Sequence, residues 1–268
     1  MKGEVALLTG AAGGIGSALA RRLARAGVRQ LLTDADEAGV RELALELREW
    51  GAEARALRCD VTDPADCERA VRAAVEHFGG LDALVLAAGI THFGVFAETS
   101  PEVLRRVMEV NFTGSVRPTH AALPELLRRR GRIAVLSSVA GFAPLATRCG
   151  YSASKHALHG LFDSLRAELR GTGVSVTVVC PSFVDTAIEA HGLGPDGGPP
   201  PPGARTGAEG AIPPERAAEA IYRGLVRRKR RVFVPGFARL AWWVSRLAPR
   251  TYERLMLRRV GRPRAVGS

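Results

Sequence analysis

A tyrosine and a lysine, Tyr151 and Lys155, stand four residues apart in the segment YSASK. Residues at this spacing share one face of a helix, so the phenol and the ammonium group can lie side by side. A nearby positive charge favours the phenolate and predicts a pKa for Tyr151 below its usual value of about 10. A tyrosine tuned in this way can exchange a proton with an alcohol oxygen. The chain has only three tyrosines and three lysines, so the pair is more informative here than in an average sequence.

Two other polar residues precede this pair. Ser138 ends a predicted strand 13 residues before Tyr151, where its hydroxyl can hold a substrate oxygen beside the phenol or can serve an ordinary turn. Asn111 is the only asparagine of the chain and falls within a predicted helix. Asparagine has poor helix propensity because its side chain competes for backbone hydrogen bonds. Its presence there indicates a requirement other than local structure.

A glycine-rich turn, TGAAGGIG at residues 9–16, joins the first predicted strand to the first predicted helix. Glycines let the backbone approach a ligand, and a helix start offers free amides to a phosphate; a plain strand-to-helix turn is the alternative. Asp34 ends the second predicted strand, where a carboxylate accepts hydrogen bonds from ribose hydroxyls and repels a 2′-phosphate. A helix cap or a solvated acid is the alternative for Asp34. The first interpretation favours NAD over NADP, and Asp60 and Gly89 follow the next two strands at the same edge.

Strands and helices alternate along the chain. Strands are predicted at residues 4–9, 30–33, 54–58, 83–86, 133–136, 174–179 and 231–234. Helices are predicted at residues 14–26, 36–50, 63–78, 101–129 (interrupted at Pro118 and Pro124), 150–170 and 213–228. This alternation predicts an α/β fold with a doubly wound parallel sheet of about seven strands. Ligands of such sheets bind beyond the carboxyl ends of the strands.

These residues together resemble the classical branch of the short-chain dehydrogenase/reductase family over roughly residues 3–234. The resemblance rests on TGAAGGIG, Asp34, Asp60-Val61, Asn111, Ser138, YSASK, and Pro181 with Asp185-Thr186. It implies one catalytic, NAD(P)-binding Rossmann-type domain over residues 1–234. The glycine- and proline-rich stretch at 190–214, which we expect to be mobile, would close over the substrate.

The resemblance also implies the roles of individual residues. Tyr151 would be the catalytic acid/base, and Lys155 would lower its pKa and bind the nicotinamide ribose. Ser138 would orient the substrate oxygen, and Asn111 would hold a water in a proton relay from Lys155. The residues implied to bind the cofactor are Gly10, Gly14, Ile15, Gly16, Asp34, Asp60, Val61, Ala87, Gly89, Tyr151, Lys155, Val184 and Thr186. The cofactor would be NAD, with NADP disfavoured, and no metal site is expected.

The predicted activity is therefore that of an NAD(H)-dependent oxidoreductase that interconverts a secondary alcohol and a ketone or aldehyde. We expect a largely apolar substrate from the mixture of aromatic and polar residues that flank the strand ends: Thr91, His92, Phe93, Phe142, Arg148 and Phe183. For Arg148, a solvated side chain is favoured over an ion pair. Family members commonly form homo-oligomers. The alternative is a non-catalytic nucleotide-binding scaffold tethered to a membrane or partner by a basic tail.

Charge is concentrated at the end of the chain. The 268 residues carry a formal net charge of +11, yet residues 1–220 contain 24 basic and 26 acidic groups. Residues 235–268 form a basic tail in which Phe237, Leu240, Val244 and Leu247 recur at helical spacing. Three binding partners are possible for this amphipathic surface. They are the protein's own core or a partner subunit, an anionic membrane contacted through residues 235–264, and nucleic acid, which is disfavoured because no recognition fold accompanies the charge.

Composition and the absence of sorting signals bear on the compartment. The chain is 46% hydrophobic, enough for a full core, which excludes a disordered protein. Its four cysteines show no CxxC or metal-ligand spacing, as expected for free thiols in a reducing compartment. No signal-peptide core and no run of about 18 uncharged apolar residues is visible. We therefore expect a cytoplasmic protein, with peripheral attachment to a membrane surface as a further alternative.

Overall fold

A parallel sheet organises the molecule. The computed structural model describes residues 1–204 and 210–260, with side chains through residue 258. The described residues form the strands β1 (Val5–Thr9), β2 (Arg29–Asp34), β3 (Ala54–Arg58), β4 (Ala83–Leu86), β5 (Arg132–Leu136), β6 (Ser175–Pro181) and β7 (Arg231–Val234). The strands are all parallel, in the order β3-β2-β1-β4-β5-β6-β7. The chain reverses direction across the sheet between β1 and β4, which opens a crevice there.

Helices cover both faces of this sheet. They are α1 (Gly14–Arg25), α2 (Glu37–Glu49), α3 (Pro64–Phe78), α4 (Pro101–Met108), α5 (Gly114–Arg129), α6 (Cys149–Glu168), α7 (Pro214–Val226), α8 (Ala238–Leu247) and α9 (Pro249–Val260). Side-chain caps begin several of them: Asp36 accepts from the amide of Gly39 in α2, and Asp63 accepts from that of Ala65 in α3. The predicted fold class is confirmed, and the predicted element bounds agree to within a few residues.

Successive side chains of the buried strands point alternately into two apolar layers, one on each face of the sheet. In β1, Ala6 and Leu8 point to the layer formed with α1, α2 and α7. Val5 and Leu7 point to the opposite layer, formed with α3, α5 and α6. Because both sides of the sheet are covered, all five residues of β1 are buried. The carboxyl ends of these strands remain open for a ligand.

The long helix predicted before β5 is broken in a different place from the one expected. A π-helical turn, Glu109–Thr113, separates α4 from α5. The expected interruptions at Pro118 and Pro124 are wrong, since both prolines lie inside α5. The hydroxyls of Ser115 and Thr119 donate hydrogen bonds to backbone carbonyls four residues earlier. Side-chain hydrogen bonds and the buried face of α5 outweigh the one bond that each proline removes.

The C-terminal tail folds into two consecutive helices, α8 and α9. The inner face of α8 packs on the body of the protein: Ala238 is fully buried, and the ring of Trp242 lies 6.2 Å from that of Phe233 in β7. Docking on the protein's own core, one of the three open alternatives, is therefore observed for this face. Within residues 1–204 and 210–260, no helix is long and apolar enough to cross a membrane.

Parts of two predicted segments lie outside the described residues. Within the stretch at 190–214, residues 205–209 are not described, and the tail is described only as far as residue 260. The described part of the stretch is tied to the body by isolated bridges that pair Leu193 with His92 and Ile212 with Val184. Its predicted mobility stays a prediction.

Candidate active site

A cavity of about 480 Å³ opens beyond the carboxyl ends of the strands, at the reversal between β1 and β4. Its lining includes the following predicted site residues: Gly10, Gly14, Ile15, Gly16, Asp34, Asp60, Val61, Ala87, Gly89, Ser138, Tyr151, Lys155, Val184 and Thr186. Asn111 lies behind the wall and does not line the cavity. The glycine turn occupies one part of the lining, and the Tyr151–Lys155 pair occupies another. The fold thus joins residues that are far apart in sequence.

Close packing explains the glycines of the turn. Gly10 has a φ of +66°, and a Cβ there would lie 2.4 Å from the backbone nitrogen of Ala88. A Cβ on Gly16 would lie 2.0 Å from the carbonyl oxygen of Gly10, and one on Gly14 would lie 2.6 Å from Cγ2 of Thr186. The turn therefore tolerates no side chain at these positions.

The first turn of α1 has free hydrogen-bond donors. The residue before α1, Gly13, offers no side-chain cap, and the first turn of α1 contains no acidic residue. The first backbone amides of a helix have no partner within the helix. With the positive end of the helix dipole, they form a cradle that fits the diphosphate of a dinucleotide.

Asp34 is fixed against the glycine turn. Its carboxylate accepts hydrogen bonds from the amides of Ala12, at 2.9 Å, and Asp36, at 3.1 Å. The alternative of a cap for the next helix does not apply, because Asp36 caps α2. Asp34 therefore presents a negative charge to the cavity at the end of β2.

Asp60, at the end of β3, is held by its neighbour Thr62, whose amide and hydroxyl donate to it at 2.9 and 2.7 Å. Burial acts to raise the pKa of Asp60, but the hydrogen bonds from Thr62 and the charges of Arg106 and Arg58 lower it overall. Asp60 is therefore a carboxylate at neutral pH. Arg106 in α4 lines the same cavity; sequence reasoning missed it, because no motif surrounds it.

The predicted proximity of Tyr151 and Lys155 is observed on α6. The Lys155 ammonium lies 5.5 Å from the centroid of the Tyr151 ring and donates a hydrogen bond of 2.8 Å to the carbonyl of Leu136. Only 4% of Lys155 is exposed, and this burial lowers its pKa to about 8. The ammonium therefore remains the main form at neutral pH.

The predicted direction of the Tyr151 pKa is wrong for the protein by itself. Tyr151 is partly exposed to the cavities, yet desolvation by the surrounding protein atoms raises its pKa. The nearby Ser138 hydroxyl and the charge of Arg148 act to lower the pKa, but they do not reverse the direction. Lys155 is not among the groups that shift this pKa, and its ammonium donates its hydrogen bond to the Leu136 carbonyl. Tyr151 thus holds its proton until further positive charge is brought near.

Of the two roles that the sequence left open for Ser138, the role in a turn is observed, and the role toward a substrate oxygen stays a prediction. The Ser138 hydroxyl accepts a hydrogen bond of 3.1 Å from the amide of Ala140, which starts the short turn Val139–Gly141. The same hydroxyl donates a hydrogen bond of 3.4 Å to the carbonyl of Pro181, and it lies near the Tyr151 phenol, whose pKa it acts to lower. The turn therefore fixes a second hydroxyl near the phenol, and both side chains line the two cavities described here.

Asn111 lies fully buried in the π-helical turn and joins three parts of the structure. Its side chain accepts from the amide of Ile90 at 2.8 Å, and donates to the carbonyl of Ile90 at 3.0 Å and to the hydroxyl of Ser154 at 2.9 Å. A Cβ on Gly89 would lie 3.2 Å from Oδ1 of Asn111 and 3.5 Å from Nζ of Lys155. Asn111 thus fixes the segment after β4 against α6, close to Lys155.

A second cavity, of about 630 Å³, adjoins the first. The two share Ser138, Tyr151 and part of the chain after β6. The lining of the second cavity is mostly apolar and comes from three segments: the chain between β5 and α6, the chain after β6, and the C-terminal tail. The apolar lining residues include Phe183, Ile188, Phe237, Val244 and Met256. The predicted catalytic domain, residues 1–234, does not include the tail. The apolar residues at helical spacing indicated that the tail packs on something, but the sequence could not show on what.

The pocket residues expected from the flanks of the strand ends are only partly correct. Arg148 and Phe183 line the second cavity. Thr91, His92 and Phe93 are buried instead, and Phe142 packs against Phe233. The ring of His92 accepts a hydrogen bond of 3.0 Å from the amide of Gly150, and burial together with the charge of Arg148 lowers its pKa to about 4.

The expectation of a solvated Arg148 is wrong. The side chain is buried and forms a 2.6 Å ion pair with Glu189, and its guanidinium lies 4.1 Å from the centroid of the Phe93 ring. Glu189 belongs to the segment after β6, so the pair ties that segment to the start of α6. The loop beside Tyr151 is thereby held in place.

Comparison with known proteins identifies the family. The family model for short chain dehydrogenase matches residues 4–192, which include the glycine turn, Ser138, Tyr151 and Lys155. The chain belongs to the short-chain dehydrogenase family. This short-chain dehydrogenase is 33% identical to dehydrogenase/reductase SDR family member 7B of Bos taurus, over 98% of the chain and 83% of that protein. It is 42% identical to a putative ketoacyl reductase of Streptomyces coelicolor, over 70% of the chain and 73% of that protein.

A solved structure supports the same assignment. A short chain dehydrogenase/reductase from Burkholderia phymatum, crystallised in complex with NAD, matches with a TM-score of 0.82 and 28% identity over 95% of each chain. The predicted family and the Rossmann-type fold are thus confirmed. This short-chain dehydrogenase is an oxidoreductase.

Proposed function

We propose that this short-chain dehydrogenase transfers a hydride between NAD(H) and an apolar secondary alcohol or the corresponding ketone or aldehyde, with Tyr151 as acid/base. One observation carries the proposal. Tyr151 and Ser138 lie where a cavity lined by the glycine turn and Asp34 meets a mostly apolar cavity. A hydroxyl at such a junction can reach a substrate oxygen while the carbon beside it faces a dinucleotide.

The lining residues fit a nicotinamide dinucleotide. The uncapped start of α1 and the glycines before it suit the diphosphate. The Asp34 carboxylate suits the adenosine ribose, and Lys155, Val184 and Thr186 suit the nicotinamide end, in line with the family's pattern. When bound, the oxidised nicotinamide supplies a hydride acceptor and a positive charge.

Three side chains then take part in the proton transfer. Tyr151 takes the proton of an alcohol in the oxidative direction and returns it to the carbonyl oxygen in the reductive direction. Ser138 holds the same oxygen through its fixed hydroxyl. Lys155 adds positive charge beside a phenol whose pKa is raised by burial, so it favours the phenolate. Asn111 is a positioning residue that fixes the segment after β4 near Lys155; the relay water that the family's pattern assigns to it stays a prediction.

The charge at the end of β2 supports NAD over NADP. The Asp34 carboxylate repels a 2′-phosphate and can accept hydrogen bonds from the ribose hydroxyls. Its hydrogen bond from Ala12 keeps it at the glycine turn. Arg106 is the opposing feature, since it lines the same cavity, but it lies on the side of Asp60, whose pKa its charge lowers. Formation of a homo-oligomer stays a prediction from the family.

The substitution Tyr151→Phe tests the proposal, because it removes one hydroxyl and little else. We expect NAD-dependent turnover to fall at least about a hundredfold, the usual contribution of general acid–base catalysis. NAD affinity, measured by calorimetry, should stay within about twofold. Tyr222→Phe is the matched control, because Tyr222 lies on α7 away from both cavities, under the guanidinium of Arg22.

Two outcomes would count against the proposal. A Tyr151→Phe protein with undiminished turnover would remove the phenol from the chemistry. A wild-type protein that binds NAD but oxidises none of a broad panel of alcohols, and reduces none of the matching ketones, would favour the non-catalytic scaffold instead.

A further inference from the structure

Helix α8 presents three different surfaces. Its inner face is buried on β7, as described above, and a second face, with Phe237 just before the helix and Val244 within it, lines the apolar cavity. The third face, here called the outer stripe, consists of Leu240, Trp243 and Leu247 at helical spacing. These three side chains are 66%, 48% and 78% exposed. An exposed apolar row of this kind indicates an interaction surface.

Basic residues flank the outer stripe. Arg239 and Arg246 lie on α8, and Arg250 and Arg254 lie on α9; all four are exposed. Over residues 235–268 the chain contains eight arginines and a single acidic residue, Glu253. Exposed leucine and tryptophan beside arginine match the interface of an anionic bilayer, where the apolar groups reach the acyl chains and the arginines meet the headgroups.

Charge disfavours a second copy of this chain as the occupant. Each chain carries a formal net charge of +11, concentrated in this tail. Two such stripes in contact would bring like charges together, which opposes association. An anionic lipid surface has the opposite charge over its whole extent.

The same two helices form a wall of the substrate cavity. Besides the α8 residues, Tyr252, Leu255 and Met256 of α9 line it. Leu240 and Leu255 belong to the cavity lining and are also 66% and 54% exposed, so the apolar surface continues from the outside into the cavity. An apolar molecule that follows this surface from a bilayer to Tyr151 avoids the cost of entering water.

We propose that helices α8 and α9 seat the outer stripe in an anionic bilayer and admit a membrane-dissolved, apolar alcohol or ketone to the cavity. The substrate half rests on the proposed function, because it needs the reaction at Tyr151. The membrane half does not need that reaction. The two halves are therefore measured separately.

Vesicle binding tests the membrane half on the full chain. We expect the protein to sediment with vesicles of equimolar phosphatidylcholine and phosphatidylglycerol, and far less with phosphatidylcholine alone. Leu247→Glu should weaken vesicle binding at least roughly tenfold, because it removes the free energy gained when one leucine side chain is buried. Leu45→Glu is the matched control, because Leu45 is 54% exposed on α2, remote from the tail. A wild-type chain that stays in the supernatant, or equal losses in both variants, would overturn the proposal.

Ketone reduction tests the substrate half. The rate on hexadecan-2-one dissolved in the anionic vesicles is compared with the rate on butanone in water, both with NADH. Wild type should prefer the vesicle-dissolved ketone, and Leu247→Glu should lower the ratio of the two rates at least about tenfold, whereas Leu45→Glu should not. A preference for butanone, or a ratio unaffected by Leu247→Glu, would overturn the inference and leave the chemistry at Tyr151 intact. Vesicle binding without reduction of either ketone would instead contradict the proposed function, and the substrate half with it.

Discussion

Lys155 should make the protein less stable than it would be without a charge at that position. The ammonium is nine-tenths or more buried, and its pKa falls from 10.5 to about 8 because burial penalises the charged form. Each pKa unit corresponds to about 1.36 kcal/mol, so the difference amounts to about 3 kcal/mol. Lys155→Met removes this cost and keeps most of the volume. The variant should therefore lose turnover and gain free energy of unfolding at neutral pH.

The sign of the pH dependence follows from the protons bound. Between about pH 8 and 10.5 the unfolded chain keeps the proton on Lys155 whereas the folded chain releases it, so wild-type stability rises with pH through this window. Lys155→Met has no such group. Its advantage over wild type is fully present below about pH 8 and should shrink by about 3 kcal/mol as the pH rises through the window.

Urea unfolding of both proteins at pH 7 and pH 10 measures this difference. The lost hydrogen bond to the Leu136 carbonyl and any change in packing contribute at both pH values, and they largely cancel when the two are compared. Other groups that titrate at high pH are common to both proteins. A gap between variant and wild type that stays constant within about 1 kcal/mol across the window would refute the argument that burial controls the charge of Lys155.

Two further predictions concern the dinucleotide cavity. Asp34→Asn keeps the shape but loses the charge, so the preference for NAD over NADP, measured as the ratio of kcat/KM values, should fall about tenfold or more; an unchanged ratio would contradict the role of Asp34. Gly16→Ala should destabilise the fold by about 1–3 kcal/mol in thermal unfolding, because its Cβ meets backbone at 2.0 Å. Gly13→Ala, whose Cβ would come no closer than 3.4 Å to another atom, should cost far less, and equal costs would exclude packing as the reason.

Local signals in the sequence were sufficient for the sheet and for most of the site. Strand ends in a parallel sheet meet at one edge, so the placement of Gly10, Asp34, Gly89 and Ser138 followed from the order of strands and helices. The spacing of Tyr151 and Lys155 followed from helix geometry. These features depend on neighbours along the chain, which is why they could be predicted.

The break in the helix before β5 could not be predicted in the same way. Proline is the local signal for a break, yet Pro118 and Pro124 lie within a continuous helix. The π-helical turn lies around Asn111 instead, whose side chain bonds Ile90 and Ser154 from two other elements. A helix distortion that serves long-range hydrogen bonds has no signature in its own sequence beyond the unusual asparagine.

Hydrophobic period, glycine placement and residue spacing were enough to predict the fold class, the family and the chemical groups at the strand ends. The protonation preferences and the walls of the second cavity depend on how distant parts of the chain pack, so they became visible only in the folded structure. Burial raises the pKa of Tyr151, whereas the sequence predicted that it would be lowered. Arg148, which we expected to be solvated, is buried in an ion pair with Glu189. The tail lines the cavity because its apolar face meets the segment after β6, and contacts between such distant segments depend on how the whole chain packs.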